Sequence, residues 1–444
     1  MAFLFLQGFL LSFGSVPPGR LCKGAFRRAS FFISRQQCTL ALAASVRRSL
    51  PRSRLVVFPA AMALLLRTAV EVYDRKRQIA LLLLLAALLA QGGHGQAASM
   101  MVQVVLGGSK MLFGPGRDWS KGVLRTPNWN LDMYSEHQCW EQLRWRKQDI
   151  PQLAQDLGLP PVFKTSRRYV FTREEATVVL LRRFAHAGSW ESILQFLGGR
   201  CRTAYVTLFN EMLQYLWDAF SDRLTDISRW ANEADTWADA IHAAGAPAPR
   251  CISFVDGTLR SCARPGENQE ELYSGYKKEH GVKFQTCVAP NGLISDFFGP
   301  ICGRRGDGYM LRKSRLEDRI ARLCLRAGAP YYVYGDPAYP LTQYILRGFK
   351  GPMSAFQRAF SKAMSSERET VEWGYALVTA NWKLLEGTWS LKFGKSPIGL
   401  MYAVGVLLTN LHTCEYGNQI LTHFLATYPH ESLKPPSVHD YLHK

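Results

Sequence analysis

Three carboxylates stand where a chain could set them to work. Asp256 closes the apolar run CISFVD, Asp336 closes YYVYGD, and Glu372 lies in SSERETVEWGYALVTANWKLLEG. Each has an ordinary explanation: an aspartate before Gly-Thr or before Pro commonly forms a turn, and a helical glutamate commonly faces water. Together they suit a different chemistry. Hard divalent cations take oxygen ligands, and Mg²⁺ typically takes one or two carboxylates plus substrate oxygens and waters. Two such ions ~3.5–4 Å apart can activate a water, bridge a phosphate and stabilise a leaving oxygen. Acids that converge on one sheet edge from separate elements can build such a site.

The surrounding pattern supplies the elements. CISFVDGTL reads as a strand ending in Asp256, and GVKFQTCVAP with GLISDFFGP reads as a hairpin turning on Pro-Asn-Gly. GDGYMLRKSRLEDRIARLCLRAG reads as one helix, with Met310, Leu316, Ile320 and Leu323 apolar and Gly328 past its end. Tyr331 to Tyr334 then favour an extended chain that Gly335, Asp336 and Pro337 end. Strand, hairpin, helix and strand make an α/β domain, in which ligands gather at strand ends. A last helix is predicted from Ser366, which has capping-box spacing to Glu369. Val371, Tyr375, Val378, Trp382 and Leu385 form its apolar stripe. Glu372 falls about 100° from Val371, on the margin of that stripe and toward the sheet edge.

Residues 131–220 read as helices. DIPQLAQDLGLPP is short and amphipathic, and Thr172 with Glu175 opens a longer helix as a capping box. Ser189 and Gly198-Gly199 bound a further one, and CRTAYVTLFNEMLQYLWDAF follows with Tyr205, Phe209, Met212 and Leu216 at core spacing. The unit resembles a helix-turn-helix in which Arg200, Arg202 and Thr203 begin the recognition helix beside DNA. The alternative is a packing unit whose arginines are simply solvated.

The formal charge of +19 is unevenly spread. Residues 1–77 hold thirteen Lys and Arg against Glu71 and Asp74, leaving about +8 for the remainder, so charge alone does not establish a polyanionic partner. The Arg- and Ser-rich start has the composition of an organelle transit peptide, or of an upstream stretch before a true start at Met62 or Met100. The apolar run 79–90 is shorter than the ~20 residues needed to span a bilayer, so we expect a short buried or interfacial helix and no membrane anchor. The ten cysteines include no C-x-x-C pair, which argues against a zinc module and a disulfide framework. Phe393 to Ser396 end like a phosphate-binding loop, but Trp389 stands where its first glycine belongs and Pro397 follows, so nucleotide binding is set aside.

From 251 to about 416 the chain resembles the DDE endonuclease domain of Harbinger-type transposases and their domesticated nuclease relatives. The segments that carry the likeness, in order, are FVDGTLRSCARP, YSGYKKEHGVKFQTCVAPNGLI, GPICGRRGDGYMLRKSRL, YYVYGDPAYP, RETVEWGYALVTANWKLL and SPIGLMYAVGVLLTNLHTC. Upstream, RWRKQDIPQLAQDLGLPPVF and EEATVVLLRRFAHAGSWESILQFLGGR extend it to roughly residue 130. The resemblance implies an RNase H-like mixed sheet flanked by helices, and a catalytic triad falling on Asp256, Asp336 and Glu372. That triad is expected to bind two Mg²⁺ or Mn²⁺ ions. Gly306 replaces a histidine usual in the family, while Asp307 is retained as a supporting acid. His280, Arg264 and Arg368 also match the pattern; His280 could stand near substrate or be structural, and the two arginines have no assigned role. Lys277, Lys278, Lys283, Arg304 and Arg305 flank the acids and could grip DNA phosphates, although solvation explains any one of them.

The organisation expected is an extension over 1–100, an all-α helix-turn-helix-like module over 101–245, the catalytic α/β domain over 246–425 and a tail over 426–444. The expected activity is metal-dependent cleavage, or transfer, of DNA phosphodiester bonds. A catalytically silent DNA-binding or adaptor protein on the same fold is the first alternative, and an organelle-imported protein of other function is the second. We further expect a homo-oligomer, a separate Myb-like DNA-binding partner and nuclear residence, with organelle import as the alternative if the N-terminus is a transit peptide.

Overall fold

The computed structural model describes residues 129–386 and 391–444. The expected extension over 1–100, its helix at 79–90 and the alternative starts at Met62 and Met100 lie outside the described residues. The described residues belong to one compact unit.

The unit opens with α1 (Glu136–Leu143) and α2 (Ile150–Asp156). A hairpin that the helical reading missed follows, β1 (Val162–Lys164) and β2 (Val170–Thr172). Aromatic and β-branched residues line both strands, and Thr165 closes the turn by accepting from the Tyr169 amide at 3.0 Å. Next come α3 (Arg173–Ala185), α4 (Trp190–Leu197), α5 (Arg202–Thr225) and α6 (Ala234–Ala243). Thr172 caps α3 through the Glu175 amide, as its spacing implies, but the Glu175 carboxylate turns away to Arg200 instead of completing the box.

The sheet is built from β3 (Cys251–Ser261), β5 (Glu279–Val288), β6 (Ile294–Cys302), β7 (Tyr332–Gly335) and β8 (Ile345–Arg347). The short α7 (Gln269–Leu272) and β4 (Tyr273–Ser274) lie between β3 and β5. β3, β5 and β6 pair antiparallel, whereas β3, β7 and β8 pair parallel. Five strands in the order β6-β5-β3-β7-β8, with helices on the sheet, make the mixed α/β, RNase H-like architecture. The predicted β5–β6 hairpin is present. Gly292 adopts φ +83°, and Asn291 accepts from the Leu293 amide, which is the chemistry a Pro-Asn-Gly turn supplies.

The single helix expected after β6 is two, α8 (Asp307–Ser314) and α9 (Leu316–Ala327), broken at Arg315 with φ +54°. The Ser314 hydroxyl takes the Leu316 amide at the break, so a side chain replaces a helical acceptor. The helix expected from Ser366 begins earlier: α10 spans Ala355–Asn381 and carries a full capping box at Ser354 and Gln357. Nothing in AFQRAFSKAMSS breaks a helix, so Ser366, the expected cap, lies in its interior. Its predicted stripe is buried, with Val371, Val378 and Trp382 wholly so. Gly374 lets α10 settle on the sheet, since a Cβ there would lie 2.9 Å from Val288 Cγ2.

The buried α11 (Ile398–Tyr416) packs on β6, α5 and α10. The stretch 426–444, expected as a tail, is instead packed in place. After α12 (Gln419–Thr427), α13 (Val438–His443) buries Tyr441, whose hydroxyl receives Asn410 Nδ2 at 2.8 Å. Among the described residues no helix is long and apolar enough to cross a membrane, and the eight described cysteines are free.

Candidate active site

Asp256 is not at the end of its strand, as the sequence implied; β3 runs on to Ser261. What ends there is the parallel pairing. Val255 is the last β3 residue registered with β7, opposite Gly335, so Asp256 and Asp336 are the next residues on two neighbouring strands. Adjacent strands lie ~4.8 Å apart and alternate their side chains, which sets the two aspartates side by side on one face. β3 is buried up to Val255 and half-open from Asp256 onward, because its β7 flank is vacated. Gly335 permits this crossing: a Cβ there would lie 3.0 Å from both the Tyr339 ring and Val255.

α10 lies on that face. The Tyr375 hydroxyl donates to the Asp256 carbonyl at 2.6 Å, fixing the helix directly behind the first acid. About two turns earlier, Arg368 stands 3.7 Å from Asp256 Oδ2 and 3.7 Å from Glu372 Oε1. The guanidinium thus joins the first and third carboxylates. Glu372 is more than half exposed and reaches the pair of aspartates only through Arg368. Among the described residues no three Asp, Glu, His or Cys are gathered closely enough to hold a metal ion as they stand.

Burial pushes the Asp256 carboxyl up to about 6; the Gly257 amide and then Arg368 oppose this, while Asp336 and Asp307 add to it. Asp336 accepts from the Ala338 amide at 3.0 Å, a turn contact that also aims its carboxylate. A buried acid crowded by acids, with oxygen donors only, fits a hard divalent cation. Asp256 and Asp336 would hold such an ion, and Glu372 would complete the set once Arg368 releases it.

Asp307 begins α8 on the opposite face of β3. Its Oδ1 would meet a Cβ on Gly257 at 2.8 Å, and Lys283 Nζ lies 3.4 Å away. Lys283 is therefore tied to an acid. Gly306, the residue before, caps α8 in extended conformation with open space where a Cβ would project, so nothing fills the place of the usual histidine.

The remaining candidates divide by position. Arg304 pairs with Glu271 at 3.2 Å and Arg305 covers the Tyr309 ring, both at the approach to α8. His280 packs on Tyr273 six residues before Thr286, the residue opposite Asp256, which places it ~20 Å along the strand and away from the acids. Lys277 and Lys278 lie exposed just beyond it. Arg202 pairs with Glu191 at the surface and lines a cleft with Arg167, Trp190, Thr203 and Asn210. Arg200 does not take the DNA-facing place expected of it. Its guanidinium is buried in a two-pronged pair with Glu175, at 2.7 and 2.8 Å, and covers the Phe171 ring, so it is not presented to a phosphate.

Arg200→Ala is accordingly expected to cost about 3–5 kcal/mol of stability, because it leaves Glu175 buried and unpaired. It should not alter any salt dependence of DNA binding. Chemical denaturation and a salt titration of binding read the two effects separately.

Sequence reasoning assigned Arg368 no role. The four-residue spacing from Arg368 to Glu372 was the available signal, since such a pair shares one helix face. Its link to Asp256 depends on the register of α10 against β3 and had no local sign.

No curated protein and no solved structure matches the chain. Residues 255–410, which carry all three carboxylates together with β5–β8, α10 and most of α11, match the family model of the DDE superfamily endonuclease.

Proposed function

We propose that the protein is a divalent-metal-dependent DNA nuclease of transposase type, with Asp256, Asp336 and Glu372 as its catalytic carboxylates. The observation that carries this reading is that Asp256 and Asp336 follow paired residues of neighbouring parallel strands, with Glu372 on α10 linked to Asp256 through Arg368. When bound, Mg²⁺ or Mn²⁺ would supply an activated water and neutralise charge on the scissile phosphate. Asp256 and Asp336 set the position of the ions, Glu372 completes the ligand set, and Tyr375 holds the backbone of Asp256 still. Arg304 and Arg305 border the approach at α8 and would steady the phosphate backbone. In a strand-transfer step a freed 3′-hydroxyl would take the place of water. Harbinger-type kinship, nuclear residence, a homo-oligomer and a separate Myb-like partner belong to the same reading.

The test is nicking of supercoiled plasmid by the full chain with Mg²⁺, Mn²⁺, Ca²⁺ or EDTA. Relaxed and linear product is expected with Mg²⁺ or Mn²⁺ and none with EDTA. No product with either metal on any substrate form would favour the alternative, a silent DNA-binding or adaptor protein. Gly306→His, which has room at its position, should then be tried as a gain of activity.

A further inference from the structure

Between the second and third carboxylates the chain carries Arg347, Lys350, Arg358 and Lys362 and no acid at all from Pro337 to Ser366. None of the four forms an ion pair among the described residues, although Arg347 donates to the Gly348 carbonyl and Arg358 to that of Met353. The same stretch exposes large aromatic side chains: Phe356 is 74% exposed and Phe349 42%. Phe360 links them, with ring centroids 5.7 Å from Phe349 and 6.5 Å from Phe356. The Phe349 amide is held by the Ser361 hydroxyl at 3.1 Å, so the β8–α10 connection presents its ring from a fixed position.

The arrangement round α10 is specific. At ~100° per residue, the exposed face of its first three turns is centred on the small residues Ala355 and Ala359. Arg358 and Lys362 border that face on one side and Phe356 on the other. Arg358 lies ~40° from Glu372 round the axis, on the side that leads along the helix toward the acids, and Phe360 lies ~18 Å from Glu372 along it. The surface is thus a shallow trough with a low floor, cations on one wall and aromatic faces on the other.

We propose that this trough holds a single-stranded or unpaired stretch of nucleic acid, with phosphates on Arg358 and Lys362 and bases stacked on Phe356 and Phe349. Exposed rings beside a cationic track are what sequence-tolerant strand binding requires. A second copy of the chain is the rival occupant. Charge disfavours it, because a symmetric contact would set four unpaired cations against the same four. The inference deepens the nuclease reading by stating what form of DNA the site takes, strands opened beside the point of cleavage.

The test is fluorescence anisotropy with the full chain in EDTA, using a labelled single strand, a blunt duplex and a duplex with a single-stranded overhang. Phe356→Ala should weaken binding of the single strand and the overhang about tenfold while leaving the salt slope unchanged. Arg358→Gln with Lys362→Gln should reduce the slope of log affinity against log salt by about 1.4. Binding is read without metal, so the absence of nicking by the wild type would overturn the nuclease reading and leave this measurement standing. The trough is overturned if Phe356→Ala leaves single-strand affinity unchanged. It is equally overturned if that variant turns an oligomer into a monomer on sedimentation while each chain keeps its affinity for DNA.

Discussion

Asp256→Asn is expected to reduce metal-dependent DNA nicking by at least about a thousandfold and, in EDTA at pH 7, to make the protein more stable than the wild type. The first effect follows from the loss of a charged oxygen ligand between two strands, which nothing nearby can replace. The second follows from where the carboxylate sits. Burial, Asp336 and Asp307 raise its pKa from 3.8 to about 6 against the pull of the Gly257 amide and Arg368. A carboxyl whose pKa is raised by folding favours the folded state while protonated. That contribution is complete below about pH 4 and is lost as the pH rises through about 6. At neutral pH the charged form therefore costs on the order of 2–3 kcal/mol. In EDTA, the stability of the wild type relative to the variant should fall between about pH 4 and 6 and be level on either side. Mg²⁺ should reverse the order at pH 7, since only the wild type gains by binding it. Equal nicking by the two proteins would remove Asp256 from the chemistry. A difference in stability that does not change with pH would remove the crowding argument.

Arg319→Met should destabilise the protein by about 3–5 kcal/mol without touching the carboxylate site directly. Asp296 on β6 is wholly buried, and Arg319 on α9 meets both its oxygens at 2.7 Å. Arg319 also donates to the Ser314 carbonyl at the break between α8 and α9. One side chain therefore anchors α9 to the sheet and fixes the elbow that aims α8, with Asp307 at its start. Removing it leaves a buried carboxylate with the Ile227 backbone but no countercharge. The melting temperature should fall by roughly 2–4 °C for each kcal/mol lost. Replacing both partners, Asp296→Leu with Arg319→Met, should recover much of the loss, because an apolar pair of similar volume incurs no desolvation of charge. If the single and double variants melt together, the pair is not what holds α9.

Much of this protein was determined locally and could be read from the sequence. The strands of the β5–β6 hairpin, the apolar stripe from Val371 to Leu385 and the cap at Thr172 depend on periodicity and on the backbone habits of Gly, Asn and Thr, which act within a few residues. Where two local signals competed, the sequence did not choose. Ser366 was read as the cap, but Ser354 and Gln357 have the same spacing, and the helix starts there because no residue between the two serines interrupts it. The hairpin β1–β2 was missed because its strands are three residues each, too short for a period to show. The site was legible as residue types only. That Asp256 and Asp336 are neighbours follows from the parallel register of β3 on β7. That Arg200 is buried while Arg202 is exposed follows from where Glu175 points. That Arg368 stands between Asp256 and Glu372 follows from how α10 lies on the sheet. Each joins residues far apart in the chain, and only packing fixes which charges meet.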